Sequence, residues 1–317
     1  MVKNSQSSSA AFSLKPGEAL ALVTSYRLGD SLLAMILVHH LTRAGYQVGV
    51  FSQAVYALRE WFPGVTVYPF EALENEGRKY LHLWYERPNR KVPRRPDPQS
   101  GEVVFLNRTP WYQRPVSMAE VYLSLCREGL GISAFSPENG LQVPQGVSGD
   151  KDLKKVILHP TSSSRLKNWP LSSFLALARM LRNEGYEVEC ILAPEEKGKA
   201  ERIKEKGLAC FVRADLSRVA ERLRQAGWFI GNDSGLGQLA SNVGTPTLIL
   251  FPLPRRAARW LPCWAPARAV WPALPERVPE IFRHLLWKYA IKPETVHSAF
   301  KDFVREVAGS KKGVRPS

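Results

Sequence analysis

Short β-rich apolar runs alternate with stretches of helical periodicity along most of this chain, and that alternation restricts the fold more than any other feature. In the first half, strands are predicted at residues 19–24, 46–51, 65–68, 80–84 and 102–106. Helices are predicted at residues 29–44, 54–61 and 116–128. Strand followed by helix, repeated, is typical of a parallel sheet with right-handed crossovers. The first half is therefore predicted to be an α/β domain.

The alternation restarts at residue 155, after a stretch rich in proline, glycine and serine at residues 136–150. Strands are predicted at residues 155–159, 187–192, 208–212, 228–231 and 245–251, with helices between them. Five strands with four crossovers predict a second Rossmann-like sheet. Helical patterns at residues 280–289 and 293–307 are too few for a third domain and are expected to pack across the other two.

The predicted organisation is therefore a chain of two parallel-sheet domains with short appendages. A disordered polar tail is predicted at residues 1–16, and an N-terminal Rossmann-like domain at residues 17–148. A C-terminal Rossmann-like domain follows at residues 149–276, and the closing helices occupy residues 277–317. With 317 residues, the chain has the length expected of two domains.

Net charge and apolar content narrow the class of partner. The chain has 44 lysines and arginines against 29 acidic residues, a net charge of +15, which favours anionic partners. No zinc-finger or RNA-recognition motif accompanies that charge, so nucleic acid is not the expected partner. No apolar run approaches the ~18 residues that cross a bilayer. The N-terminus lacks the apolar region of a secretory signal, so a cytoplasmic location is expected.

Open α/β sheets bind ligands beyond the carboxyl ends of their strands, so the strand-to-helix turns carry the candidate site. In the first turn, Gly29 permits a tight bend and Asp30 stands at a helix start, where an acidic residue also caps a helix without any catalysis. The second turn runs from His159 to Pro170 and holds four consecutive hydroxyl residues, an arginine and a lysine. These donors suit phosphate, and a polar loop with serine caps is the equal alternative.

Two further turns follow in the second half. Glu195 and Glu196 stand at a helix start, where a carboxylate either accepts from ribose hydroxyls or simply complements the helix dipole. The turn Gly231-Asn232-Asp233-Ser234-Gly235-Leu236-Gly237-Gln238 lets backbone N–H groups approach an anion closely. It matches neither the Walker A loop nor the dinucleotide fingerprint.

In combination these motifs resemble glycosyltransferase family 9, the ADP-heptose:lipopolysaccharide heptosyltransferases. The resemblance rests on R-x-G-D-S-L-L near the N-terminus, HPTSSSRLKNWP, the PEE turn and GNDSGLGQLASNVGTPTLILF, which occur in the family's order. It implies the GT-B fold, with two Rossmann-like domains facing across a cleft. It also implies an inverting, metal-independent transfer of heptose from ADP-heptose, or of another sugar from its nucleotide, to a lipopolysaccharide core sugar. No cofactor is implied.

The resemblance also implies a role for individual residues. Asp30 matches the general base, and Lys167 matches the lysine on the nucleotide diphosphate, so these two are the predicted catalytic residues. Thr161 and Ser162 match hydroxyl residues on the phosphates, and Glu196 matches the residue on the ribose. Arg165, beside them in the chain, is expected to help stabilise the departing diphosphate. Asp233, Ser234 and Gly235 match the turn that contacts the sugar and diphosphate. Gln238 is also predicted to bind the nucleotide sugar, although it replaces the histidine usual in the family, and the segment after the last strand also departs from the family pattern. A relative that binds a nucleotide sugar or lipopolysaccharide with altered specificity or without catalysis is therefore the alternative.

Basic residues in the N-terminal half form the predicted acceptor site. The predicted acceptor residues are Arg27, Arg87, Arg90, Lys91, Arg94 and Arg95, with Arg108 and Arg114 further along the chain. They are expected to bind the phosphate and carboxylate groups of the lipopolysaccharide core, or the anionic inner face of the membrane, where the protein would be peripheral. A solvated loop is the equal alternative. The only DxD match, at residues 150–152, is interpreted as surface charge, and no metal site is predicted.

Overall fold

The protein is described from a computed structural model that covers residues 12, 14–88, 101–273 and 279–312. The chain divides into two compact units, residues 1–142 and 143–317. This division and the predicted one after residue 148 both fall within residues 131–151, which contain neither helix nor strand. Each unit is built around one parallel sheet.

The first unit has a five-stranded parallel sheet in the order β3-β2-β1-β4-β5. Its strands are β1 (Ala19–Val23), β2 (Gln47–Phe51), β3 (Thr66–Tyr68), β4 (His82–Tyr85) and β5 (Val103–Phe105). Its helices are α1 (Leu28–Arg43), α2 (Gln53–Tyr56), α3 (Leu73–Glu76), α4 (Pro110–Gln113) and α5 (Met118–Ser124). A π-helical turn, Leu125–Gly129, extends α5, so the predicted helix at residues 116–128 is interrupted.

The second unit has a six-stranded parallel sheet in the order β11-β10-β9-β6-β7-β8. Its strands are β6 (Asp152–His159), β7 (Glu187–Leu192), β8 (Ala209–Val212), β9 (Ala226–Asn232), β10 (Thr247–Leu250) and β11 (Ala267–Val270). Its helices are α6 (Leu171–Asn183), α7 (Lys197–Lys204), α8 (Leu216–Arg224), α9 (Gly235–Asn242), α10 (Pro254–Trp260), α11 (Glu280–Ala290) and α12 (Pro293–Lys312).

Local sequence explains where these elements begin and end. Asp215 accepts hydrogen bonds from the backbone N–H groups of Ser217 and Arg218 and so caps the start of α8. Gly185 adopts a φ of +85° just after α6, a conformation that side chains disfavour, and so allows the chain to turn into β7. Helix α1 is buried along most of its length because it lies on the sheet. These signals are local, which is why most element boundaries follow the predictions.

Two further features of the fold differ from the predictions. The second sheet has a sixth strand, β11, because four residues with an arginine among them, Ala267–Val270, pair with β10 although they carry no clear β pattern of their own. The tail predicted at residues 1–16 is not polar throughout, since Phe12 and Leu14 are each 7% exposed. The Phe12 ring lies 4.6 Å from that of Trp84, and this apolar contact holds it against the first unit. Residues 1–11 and 13 lie outside the described residues.

The two C-terminal helices belong to the core of the second unit. Trp287 of α11 and Phe300 of α12 are almost fully buried and share one apolar cluster with Trp169 and Trp228. Helix α12 packs against α6. That these helices also reach the first domain stays a prediction. Among the described residues, no helix is long and apolar enough to cross a membrane.

Candidate active site

Polar side chains gather beyond the carboxyl ends of the strands in both sheets. In the first unit they follow β1 and β4, and in the second unit they follow β6, β7, β9 and β10. These are the turns in which parallel sheets hold ligands. The two groups are described separately below.

In the first unit, Asp30 lies in the first turn of α1 and is 7% exposed. The backbone between β1 and α1 contains Thr24 and Ser25, which are also buried. The Ser25 hydroxyl lies 3.4 Å from Asp30 Oδ2, and the Ser31 hydroxyl donates to the Ser25 carbonyl at 2.9 Å. The turn that carries Asp30 is therefore fixed by hydrogen bonds within the chain. Arg27, and not Asp30, is the N-cap residue of α1, so the alternative that Asp30 caps the helix is wrong.

The structure brings two residues from the end of β4 to Asp30. Glu86 follows β4 directly, is 0% exposed, and accepts a hydrogen bond from the backbone N–H of Ser25 at 2.8 Å. Arg87 Nη2 lies 2.9 Å from Asp30 Oδ2 and 3.4 Å from Glu86 Oε1. One guanidinium nitrogen thus contacts both carboxyls. We call Asp30, Glu86 and Arg87 the carboxyl pair cluster.

Sequence analysis missed Glu86 and predicted Arg87 to be one of the basic residues that bind the acceptor, with an exposed loop as the alternative. The structure corrects the surroundings of Arg87, whose side chain is 30% exposed and whose Nη2 also donates to the Tyr112 hydroxyl at 2.7 Å. A glutamate at the carboxyl end of a predicted strand was the available signal. Burial, together with the nearby Asp30 carboxyl, raises the pKa of Glu86 to about 7. Glu86 therefore titrates near neutral pH.

Of the other predicted acceptor residues, Arg27 lies next to this cluster, since its backbone N–H donates to the Ser25 hydroxyl at 3.2 Å. The rest have other neighbours or lie outside the described residues. Arg27 is exposed at the residue before α1. Arg114 forms an ion pair with Glu128 at 2.5 Å. Arg108 lies over the Phe105 ring at 4.8 Å. The remaining four residues, Arg90, Lys91, Arg94 and Arg95, lie outside the described residues.

In the second unit, Asp233 lies between two cations. Its Oδ2 accepts hydrogen bonds from Lys167 Nζ at 3.0 Å and from Arg256 Nε at 3.0 Å and Nη2 at 2.5 Å. Lys167 follows β6, Asp233 follows β9, and Arg256 lies in the first turn of α10 after β10. We call these three residues the cation pair cluster. The structure therefore joins Lys167 and Asp233, as the sequence predicted, and adds Arg256.

Arg256 was missed because its segment was noted only as a departure from the family pattern. The signal was its place after a predicted strand, where a cation can serve an anionic ligand. The side chain of Asp233 is 12% exposed, and those of Lys167 and Arg256 are 23% and 28% exposed. The two cations thus remain open to solvent while the carboxylate between them is mostly covered. With two cations and one carboxylate, the cation pair cluster has a net charge of +1.

Buried tryptophans hold the loop that carries Lys167. The backbone N–H of Trp169 donates to Asn232 Oδ1 at 2.9 Å, and its indole N–H donates to the Ile291 carbonyl at 2.9 Å. The indole N–H of Trp287 donates to the Leu166 carbonyl at 2.9 Å. Residues on both sides of Lys167 are therefore anchored. The K-x-W-P pattern keeps the lysine at Asp233 because its tryptophan is part of the core.

A second polar group of the same unit is formed by Thr161, Glu196 and Lys199. Glu196 Oε2 accepts from the Thr161 hydroxyl at 2.9 Å, and Glu196 Oε1 pairs with Lys199 Nζ at 3.0 Å. Burial raises the pKa of Glu196, but the hydrogen bonds from Lys199 and Thr161 outweigh it and lower the pKa below its ordinary value. Glu196 is therefore an anion at neutral pH, and both of its oxygens can accept hydrogen bonds.

The remaining residues predicted to bind the nucleotide sugar are Ser162, Arg165, Ser234, Gly235 and Gln238. Ser162 lies 2.7 Å from Asn168 Oδ1 and is engaged within its own loop. Arg165 is exposed in the turn that carries Lys167, and Ser234 and Gly235 begin α9. Gln238 is 5% exposed and donates to the Trp260 carbonyl at 2.7 Å, so its amide joins α9 to α10.

No cluster of three or more histidine, cysteine, aspartate or glutamate side chains suited to a metal ion occurs in the part of the chain that the structure describes. Close packing accounts for a glycine at position 237, just after the Asp233 turn. A Cβ on Gly237 would lie 2.7 Å from Ile249 Cδ1, so a larger residue there would require the Ile249 side chain to move.

Two parallel-sheet α/β domains with polar turns at their carboxyl ends define the fold as GT-B, and solved structures share it. ADP-heptose LPS heptosyltransferase II of Escherichia coli matches with a TM-score of 0.68 and 16% identity, covering 92% of this chain and 99% of that one. A glycosyltransferase family 9 protein of Veillonella parvula matches with a TM-score of 0.70 and 15% identity, covering 93% and 99%. Heptosyltransferase WaaC of E. coli, solved with ADP, matches with a TM-score of 0.63 and 14% identity, covering 90% and 99%.

The chain belongs to glycosyltransferase family 9, the heptosyltransferase family, whose model matches residues 102–277. It is a glycosyltransferase. The predicted family and the predicted fold are thereby confirmed. None of the curated protein sequences compared with this chain matches it.

Proposed function

We propose that the protein transfers heptose from ADP-heptose to an inner-core sugar of lipopolysaccharide, with inversion at the anomeric carbon and without a metal ion. The observation that carries the proposal is the opposite charge balance of the two clusters. The carboxyl pair cluster has two carboxyls and one cation, and the cation pair cluster has two cations and one carboxylate. Glycosyl transfer to a hydroxyl needs a proton acceptor and a stabiliser of the leaving phosphate.

The donor is proposed from the second unit and from its structural relatives. Lys167 and Arg256 together carry more positive charge than Asp233 balances, which suits a nucleoside diphosphate. Glu196 is the acceptor proposed for ribose hydroxyls. Two of the similar structures are described as an ADP-heptose LPS heptosyltransferase and as a heptosyltransferase with ADP. These similarities support adenine nucleotide and heptose over other donors.

In the proposed reaction Asp30 accepts the proton of the acceptor hydroxyl. The acceptor oxygen forms a bond to the anomeric carbon as the bond from that carbon to the phosphate oxygen breaks. The electron pair leaves with ADP, whose added negative charge is stabilised by Lys167 and Arg256. Attack from the face opposite the leaving group inverts the anomeric carbon. These cations supply the charge that a metal ion would supply elsewhere.

The acceptor and the membrane surface are part of the same proposal. Exposed Arg27 beside α1 is the described residue that supports an anionic acceptor near Asp30. We propose that the acceptor is a phosphorylated or carboxylated core sugar of lipopolysaccharide. We also propose that the protein works at the inner face of the cytoplasmic membrane, where such acceptors are anchored.

A thermal-shift panel of nucleotides and nucleotide sugars tests the donor. A ligand present at 100 times its dissociation constant adds about 2.7 kcal/mol to the free energy of unfolding. We expect ADP and ADP-heptose to raise the melting temperature and UDP and GDP to leave it unchanged. Release of ADP on addition of a lipopolysaccharide acceptor then tests turnover. Binding of ADP-heptose without ADP release would favour a non-catalytic relative instead, for which the use of Gln238 in packing is the supporting observation.

A further inference from the structure

Glu86 is a fully buried charged group of the first unit to which the proposed reaction assigns no role. It is 0% exposed, yet it stands next to the carboxyl that is the proposed base. Both carboxyls share the same guanidinium nitrogen, Arg87 Nη2, and both are fixed to Ser25, one through its backbone N–H and one through its hydroxyl. A change in the charge of Glu86 therefore changes the electrostatic potential at Asp30.

The groups that face Glu86 come from four parts of the unit. Asp30 comes from α1, and Arg87 follows Glu86 after β4. Tyr112 of α4 accepts from Arg87, and Tyr122 of α5 lies close enough for its charge to interact with that of Glu86. The Tyr122 hydroxyl and Arg87 Nε are buried and have no hydrogen-bond partner among the described residues. Arg87 is the only cation among these facing groups.

The net charge of the carboxyl pair cluster explains why it binds a proton readily. With both carboxyls ionised, the cluster has a net charge of −1 in a place from which water is largely excluded. With one carboxyl protonated, the remaining carboxylate balances Arg87. Two close carboxyls of this kind titrate as a pair, and the more buried member keeps its proton to a higher pH. Glu86 is that member, since Asp30 is 7% exposed and Glu86 is 0% exposed.

We propose that Glu86 is a positioning residue that sets the basicity of Asp30 by gaining and losing a proton. This inference rests on the proposed function, in which Asp30 is the base. When Glu86 is protonated, the charge of Arg87 is balanced by Asp30 alone, and this pairing lowers the affinity of Asp30 for a proton. When Glu86 is ionised, it competes for Arg87 and repels the charge on Asp30, so Asp30 takes a proton more readily.

The proton balance of the step follows from this arrangement. The acceptor O–H bond breaks and an O–H bond forms on Asp30, which becomes neutral. Ionised Glu86 then balances Arg87 by itself, so no charge is left uncompensated in the cluster. Asp30 later releases the proton to solvent, and the cluster returns to its starting charge. No oxidant or further reactant is needed.

The pH dependence of turnover tests the inference. We expect kcat of the wild-type enzyme to rise through an inflection near neutral pH as Glu86 ionises. Glu86→Gln should remove this inflection and lower kcat about tenfold at pH 8, because a weaker base accepts the proton more slowly. The KM for the donor should not change. Glu86→Asp should restore the inflection, which a merely structural role for Glu86 would not predict.

Glu189→Gln is the matched control. Glu189 is also a buried glutamate, 6% exposed, and is held by Arg222 through hydrogen bonds of 2.7 and 2.8 Å in the second unit. Its removal should leave the inflection in place. If Glu86→Gln keeps the wild-type inflection, or if Glu189→Gln also loses it, the inference is wrong. Circular dichroism of each variant shows whether it is folded.

Infrared difference spectroscopy separates failure of this inference from failure of the proposed function. The protonated carboxyl of Glu86 should give a carbonyl band that disappears as pH rises through neutrality. Wild type and Glu189→Gln should show this band, and Glu86→Gln should lack it at every pH. This measurement needs no substrate. Absence of the band in wild type overturns the role of Glu86 even where turnover is observed. Lack of turnover with every nucleotide sugar overturns the proposed function, and the role of Glu86 with it, even where the band is present.

Discussion

The carboxyl pair cluster of the first unit and the cation pair cluster of the second are built alike but with opposite charge. Each lies beyond the carboxyl ends of a parallel sheet. The first joins side chains that follow two strands, β1 and β4, and the second joins side chains that follow three, β6, β9 and β10. Arg87 stands between two carboxyls in one, and Asp233 stands between two cations in the other. The shared fold thus fixes where a site lies, and the side chains decide whether it attracts a proton or an anion.

The two clusters also differ in burial, and this difference separates their expected behaviour. Glu86 is fully buried, whereas the cations of the second unit remain 23% and 28% exposed. A buried excess of negative charge is relieved by binding a proton, and an accessible excess of positive charge is relieved by binding an anionic ligand. Substitutions should therefore change pH dependence in the first unit and ligand affinity in the second.

The largest effect is expected from removing the proposed base. Asp30→Asn keeps the size of the side chain but cannot accept the proton, so kcat should fall about 10² to 10⁴-fold. ADP binding, measured by thermal shift, should be unchanged because the proposed diphosphate residues lie in the second unit. Glu128→Gln, an exposed carboxylate of the same unit, is the control and should keep activity. Full turnover by purified Asp30→Asn would show that the carboxyl pair cluster is not the proton acceptor.

The next effect concerns stability and its pH dependence. Because the pKa of Glu86 is raised from 4.5 to about 7 in the folded protein, the folded state binds a proton that the unfolded state has lost between these values. The free energy of unfolding therefore falls as pH rises through this range, by up to about 3 kcal/mol. Glu86→Gln cannot ionise, so it should be more stable than wild type at pH 8 and similar to it at pH 5.

Urea denaturation of both proteins at pH 5 and pH 8 measures this difference. Glu189→Gln should instead be destabilised at both pH values, because it weakens a pair of hydrogen bonds to Arg222. An equal stability difference between Glu86→Gln and wild type at the two pH values would contradict the near-neutral titration of Glu86.

A smaller effect is expected on nucleotide affinity. Arg256→Gln removes a charge-assisted contact to the diphosphate, so ADP should bind at least about tenfold more weakly. Lys167→Met should have an effect of similar size, and isothermal titration calorimetry measures both. Arg218→Gln, on an exposed helix of the same unit, is the control. Unchanged ADP binding in both variants would remove the cation pair cluster from the nucleotide site.

The smallest effect is expected at the proposed ribose contact. Glu196→Ala should weaken ADP binding several-fold and abolish the preference for ADP over 2′-deoxy-ADP, since the carboxylate that accepts from the ribose is lost. Its exposed neighbour gives a close control, and Glu195→Ala should keep the preference. A preference that survives in Glu196→Ala would place the ribose elsewhere.

Much of the fold was predictable because it depends on local patterns. The strand at residues 187–192 and the parallel direction of the strands in the first sheet follow from apolar runs separated by helical periods. Lys167 and Asp233 were predicted to share a site because turns after parallel strands lie at one edge of a sheet. Strand β11 was not predictable, because residues Ala267–Val270 carry no clear β pattern of their own and form a strand by pairing with β10.

The sequence by itself determined two parallel α/β domains, the family, and the turns in which a site must lie, because each depends on residues close together in the chain. Tertiary structure alone decided which of those side chains meet. Glu86 lies 56 residues from Asp30, and Arg256 lies 23 residues from Asp233, so neither partnership leaves a local pattern. Charge and burial depend on such distant neighbours, and the neutral titration of Glu86 and the surplus positive charge at Asp233 therefore follow only from the folded chain.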